Sequence, residues 1–120
     1  MKLVEVGNNH WSFENPAISD ETHEKLDLAL DTWDAGHVER VEIMLRAIVA
    51  ECPSHINALH HLSLICDEQA RALDAYVFCQ AAVSIGLQAI PDKFKWELSR
   101  LDWGMLNNRP FMRAYHNLGL

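Results

Sequence analysis

The feature that most constrains this chain is its helical punctuation. From Ser19 onward, apolar side chains recur at steps of three and four in stretches of 13 to 17 residues, and turn-forming residues cut most of them off. Ser19 is a natural N-cap, followed by Asp20 and Glu21, where acids favour a helix start, and Gly36 suits the left-handed residue just past a helix end near Ala35. A second helix from about His37 puts Val38, Val41, Leu45, Ile48 and Cys52 on one face before Pro53 ends it. A third, 56–68, aligns Leu59, Leu62 and Cys66; a fourth runs from about Ala72 to Ile85 with Gly86 at its end. A fifth is expected over 92–106, where Phe94, Leu98, Leu101 and Met105 align, and a sixth from Phe111. Residues 1–18 read as an irregular leader with a brief strand-like alternation at Leu3, Val4 and Val6. The expectation is an all-α chain of about six helices, with 19–120 as its helical domain and short connections that fold neighbouring helices into antiparallel hairpins.

The hairpins repeat at 34 residues. With Thr22 as position 1, Leu28 and Ala29 fall at 7 and 8, Gly36 at 15, Leu45 at 24 and Pro53 at 32; with Ile56 as the next position 1, Leu59, Leu62, Ser63, Ala75 and Ala82 fall at 4, 7, 8, 20 and 27. This period and these small and large positions resemble the tetratricopeptide repeat. Lys25, Thr32, Val41 and Ile48 depart from its pattern in the first repeat, and Cys66, Cys79 and Leu87 in the second. The resemblance covers repeats at about 22–55 and 56–89 and resumes at 110–120, where Tyr115-x2-Leu118-Gly119 looks like the opening helix of a further repeat. That last helix reads as truncated, or as an end covered by another subunit. The resemblance implies a right-handed superhelical stack of hairpins that works by binding a partner in a concave groove.

The groove positions of such repeats, carried over, are His23, Leu26, Leu30, Trp33 and Asp34 in the first repeat and Asn57, His60, Leu64, Asp67 and Glu68 in the second. They lack the Lys, Asn and Arg set with which one group of these proteins clamps a terminal carboxylate, so a basic or apolar peptide fits them better. An independent pattern points the same way. Asp20, Glu24, Asp27, Asp31 and Asp34 recur at steps of four and three and share one helix face, beside a stripe of Leu26, Ala29, Leu30 and Trp33. The leader's Leu3, Val4, Val6, Trp11 and Phe13 offer another occupant, by folding back on that stripe.

Charge excludes some classes. The chain carries 17 acids against 10 bases, and residues 1–52 hold 11 and 4 of them, so the net charge of −7 arises entirely in the first half. A nucleic-acid-binding surface would need a basic patch. No leader-type or membrane-length apolar run is present, and three cysteines, each within a helical pattern, read as buried thiols of a reducing cytoplasm. Cys52, His55, His60, His61 and Cys66 lie close in sequence but supply no second tightly spaced pair for a metal, and no nucleophile motif or phosphate loop occurs. The sequence reading is therefore a cytoplasmic, non-enzymatic scaffold without cofactor. Its alternatives are a self-association module, in which Lys93, Lys95, Arg100, Arg109 and Arg113 meet the acidic helix of a second copy, or an accessory domain of a longer enzyme.

Overall fold

Ser19 caps the first helix as expected: its hydroxyl accepts the Thr22 N–H at 3.2 Å. In a computed structural model that describes residues 1–119, four helices follow in order, α1 (Asp20–Asp34), α2 (Val38–Glu51), α3 (Ile56–Glu68) and α4 (Ala72–Ala89). α1 pairs with α2 and α3 with α4, while α2 also packs on α3. The two hairpins turn alike. Gly36 and Ala70, 34 residues apart, both hold positive φ (88° and 58°), and the next residue's N–H closes back on the helix, His37 to Thr32 O and Arg71 to Cys66 O. An alanine in the left-handed region costs about 1 kcal/mol or more. Its place is held on both sides by those bonds and by Arg71, which reaches Glu42 of α2 at 2.7 Å and Asp74 at 2.9 Å.

Inside the first hairpin Leu26, Ala29, Val41, Leu45 and Ile48 are buried and meet Ala58, Leu62 and Ile65 of the second. Within the second, the Ser63 hydroxyl donates to the Ala75 carbonyl at 2.7 Å, a contact that the small side chain at each position allows. Cys52, Cys66 and Cys79 are free and buried. By length and composition α4 would pass as a membrane span, yet here Ala75, Cys79, Ala82, Val83 and Gly86 bury its inner face.

Three expectations need correction. The chain is mostly helical, but not all-α: residues 1–18 are no irregular leader. They form an antiparallel hairpin, β1 (Lys2–Gly7) and β2 (His10–Glu14), turning at Asn9 with φ 63°. Second, there is no helix over 92–106. Arg100–Leu101 form a short strand, β3, parallel to β2, and a single 3-10 turn at Leu106–Asn108 leads into the final helix α5 (Arg109–Asn117). The apolar spacing of that segment serves tertiary partners instead: Phe94 packs edge-on against Trp11, with ring centroids 5.5 Å apart, and Leu98 is exposed. Third, Gly86 does not end α4. Its missing side chain makes room for α5, since a Cβ there would lie 2.0 Å from the Phe111 ring.

The hairpin's inner residues Leu3, Trp11 and Phe13 join Ile56, Leu59, Val83, Phe94 and Phe111 in a second core. The leader therefore does fold back, but onto the helix ends around α3, α4 and α5 rather than onto the Leu26, Leu30 and Trp33 stripe. Asn108, fully buried, ties the layers: its Oδ1 accepts the Phe13 N–H and its Nδ2 donates to the Trp11 carbonyl, both at 2.9 Å.

Candidate functional site

The residues carried over as a groove do not line one surface. On α1, His23 and Asp34 are exposed, Leu30 and Trp33 are half-buried, and Leu26, 5% exposed, belongs to the core. On α3, His60 is 4% exposed, too deep to orient a partner from the surface, and its ring lies edge-on to His61 with centroids 5.4 Å apart. Leu64 and Asp67 line a hollow together with Asn117, the last residue of α5, and Leu118 just beyond it. Glu68 lies instead beside the α1–α2 turn, with Gly36 and Val38. The reason is α5, which packs on α3 as well as α4 and covers what would be the open middle of the face.

Two features remain. The first is the acidic stripe. Asp20, Glu24, Asp27, Asp31 and Asp34 are all exposed, and among the described residues none has a cationic partner. Lys25, the one base on α1, turns to Glu51 of α2 at 2.8 Å and to Glu21. Next to the stripe, Trp33 meets His61 edge-on at 5.9 Å, joining α1 to α3. Like charges at i,i+4 spacing cost a helix about 0.2–0.5 kcal/mol a pair, so the packed hairpins carry this stripe against its own repulsion.

The second feature is a cavity of about 270 Å³ where the first turns of α1, α3 and α5 converge beneath the β-hairpin. His23, Leu26 and Asn57 of the expected groove meet there with His55, Phe13 and Phe111, which the sequence reading did not place in a binding site. His55 is the N-cap of α3: its Nδ1 accepts the Ala58 N–H at 3.1 Å. Its Nε2, the Oδ1 of Asn57 and the Nδ1 of His60 are buried without partners. An unpaired buried polar group costs about 1–3 kcal/mol. Burial, with the neighbouring His23 and His61, holds the His55 imidazole down at about 4; burial, with His61 and Arg113, does the same for His60. His61, which donates from Nδ1 to the Asn57 carbonyl at 2.8 Å, is lowered too, mainly by burial.

No family model, curated protein or solved structure matches this chain. The site is therefore read from its own residues. Among the described residues no three His, Cys, Asp or Glu side chains gather as metal ligands; the histidine cluster is engaged in capping, in a backbone hydrogen bond and in ring contacts. The buried thiols of Cys66 and Cys79 are pushed up by desolvation, away from the reactive thiolate form.

Beyond the helical face, the 90–108 segment exposes Trp96, Leu98, Trp103 and Leu106, and Arg109 and Arg113 lie over the Trp103 ring at 4.9 and 5.4 Å.

Proposed function

We propose that this protein is a non-catalytic, cytoplasmic interaction module whose two hairpins are tetratricopeptide-like repeats. On this reading the repeats stack as a short right-handed solenoid, and the partner is a basic, partly apolar peptide or helix laid along α1. The observation that carries it is the stripe of five exposed carboxylates without internal partners beside the half-buried Leu30 and Trp33. The matching left-handed turns at Gly36 and Ala70 support the repeat, and the buried small residues Ala29, Ser63, Ala75 and Ala82 support close hairpin packing. Affinity then comes from apolar contact with Leu30 and Trp33, and orientation from the acids.

Reversing Asp27, Asp31 and Asp34 to lysine tests the reading. An amphipathic Lys/Leu peptide should bind the parent chain, and bind the variant about tenfold more weakly or worse, with circular dichroism unchanged. Raising salt should weaken the parent complex in the same direction. Equal binding by both proteins rejects the acidic face as a docking surface.

A second reading is favoured by the charge asymmetry. Residues 1–89 carry 5 bases and 14 acids, net −9, while 90–120 carry 5 and 3, net +2. The cationic, tryptophan-bearing segment is complementary to the α1 stripe of another copy, in a head-to-tail contact. Sedimentation at low and high salt decides this: self-association at low salt that dissolves at high salt supports it, and a monomer under both conditions removes it.

A further inference from the structure

The cavity beneath the β-hairpin has a wall of two kinds. Phe13, Leu26, Ile56 and Phe111 give it apolar surface, and His55 and Asn57, with Asn15, His23, Ser54 and Asn107, bring polar groups to it. The chemistry of His55 and Asn57 is fixed by their surroundings. Because His55 Nδ1 accepts the Ala58 N–H, the neutral ring carries its proton on Nε2, a donor with no partner in a side chain only 2% exposed. Asn57 Oδ1, two residues on, is an acceptor with no partner. Among the described residues Met1 lines the cavity but no Asp, Glu, Lys or Arg side chain does, so a charged group entering it would lose water without a charged carboxylate, lysine or arginine side chain to pair with.

We propose that this cavity binds a neutral amide group carried on an apolar body, the amide carbonyl accepting from His55 Nε2–H and the amide N–H donating to Asn57 Oδ1. A planar amide supplies one acceptor and one donor, which match the unpartnered donor of His55 and acceptor of Asn57, and its apolar body suits the apolar part of the wall. Both protein atoms are shut off from water, so an entering amide displaces the packing that now covers them. The β-hairpin and the α5 start, which lie outside the two hairpin repeats, form much of the wall, so the site does not depend on the acidic-face reading.

The amide has two possible sources, a free small molecule or the carboxamide side chain of a peptide, and the experiment separates them. Benzamide is titrated into the full chain to millimolar concentration and followed by amide and imidazole NMR. The expected result is saturable shifts at His55, Asn57 and Ala58, with benzoate and toluene about tenfold weaker. His55→Asn keeps a capping side chain but, being shorter, takes away the imidazole Nε2–H, and Asn57→Leu removes the acceptor. Each variant, once its helical circular dichroism matches the parent, should weaken benzamide about tenfold. In the peptide arm, a blocked Lys-Leu-Gln-Leu-Lys is compared with its Gln→Met counterpart. A preference for glutamine that His55→Asn abolishes assigns the amide to a partner side chain, and benzamide binding without that preference assigns it to a small molecule. The inference is overturned if benzamide produces no shifts and glutamine no preference, if toluene binds as well as benzamide, or if both variants bind like the parent. Reversal of Asp27, Asp31 and Asp34 should leave benzamide binding intact, so a failure of the acidic-face reading is seen separately.

Discussion

Replacing Asn108 with leucine should cost about 3–5 kcal/mol, from two buried backbone groups that lose their partners at about 1–3 kcal/mol each and the tie they make between layers. The groups are the Phe13 N–H and the Trp11 carbonyl; the same Nδ2 also reaches the Asp102 carbonyl at 3.2 Å. Asn108 is fully buried, and leucine of similar size can supply packing but no polar contact. Against a total of about 5–15 kcal/mol for an ordinary domain, this is a large fraction. Urea titration followed by tryptophan fluorescence measures it, and hydrogen exchange localises it: the Phe13 amide should lose protection while amides in the middle of α2 and α3 keep theirs. A loss below about 1 kcal/mol would mean that Asn108 fills space rather than joins the sheet to the helices.

Acid should destabilise the protein well above the pH at which carboxylates titrate. His55 and His60 are held at about 4 in the folded chain, against 6.5 for an ordinary imidazole, chiefly because burial penalises the charged ring. The unfolded chain therefore binds more protons between these values, and stability falls as the pH falls. The contribution of each histidine is complete above about pH 6.5, declines from there, and is gone below about pH 4. At 1.36 kcal/mol per unit, moving from pH 7 to 4.5 removes roughly 2 kcal/mol for each, about 4 kcal/mol together. The neighbouring charges act in the same direction, His23 and His61 on His55, His61 and Arg113 on His60. Glu42, whose carboxyl is lowered mainly by its hydrogen bond to Arg71, adds its own loss only at lower pH, so the two windows separate. Urea midpoints measured from pH 7 to 4.5 should show the slope, and His60→Gln should remove roughly 2 kcal/mol of the loss. A flat profile over that range would place both rings in contact with water.

The helical hairpins were legible in the sequence because local chemistry determines them. Ser19, Gly36 and Pro53 mark their boundaries, and the three-and-four spacing of Val41, Leu45 and Ile48 identifies the buried face. Where the reading failed, long-range partners overrode local pattern. Phe94, Leu98, Leu101 and Met105 have helical spacing, but Phe94 has Trp11 to pack on and Leu101 pairs with β2. Trp11 and Phe13 did carry a strand signal, alternating about Ser12, with Asn8 and Asn9 as a turn before them. Asn108 carried no comparable signal, since nothing in sequence shows that a side chain will be enclosed. The acidic stripe was visible in full; the cavity was not, because it is made by residues from positions 1 to 111 that meet only in the folded chain.

The parallel contact of β2 with β3 joins His10 and Trp11 to Arg100 and Leu101, partners about 90 residues apart. Closure of so long a loop is among the slower steps of folding, whereas the helical hairpins draw on neighbours that follow within a few residues. During synthesis the usual order is thus inverted for this sheet. Leu3, Trp11 and Phe13 emerge well before Phe94 and Phe111 and wait for them before their apolar face can be enclosed. Until that moment the nascent chain holds formed hairpins and an exposed aromatic strand together, and that interval is when a chaperone would have most to shield.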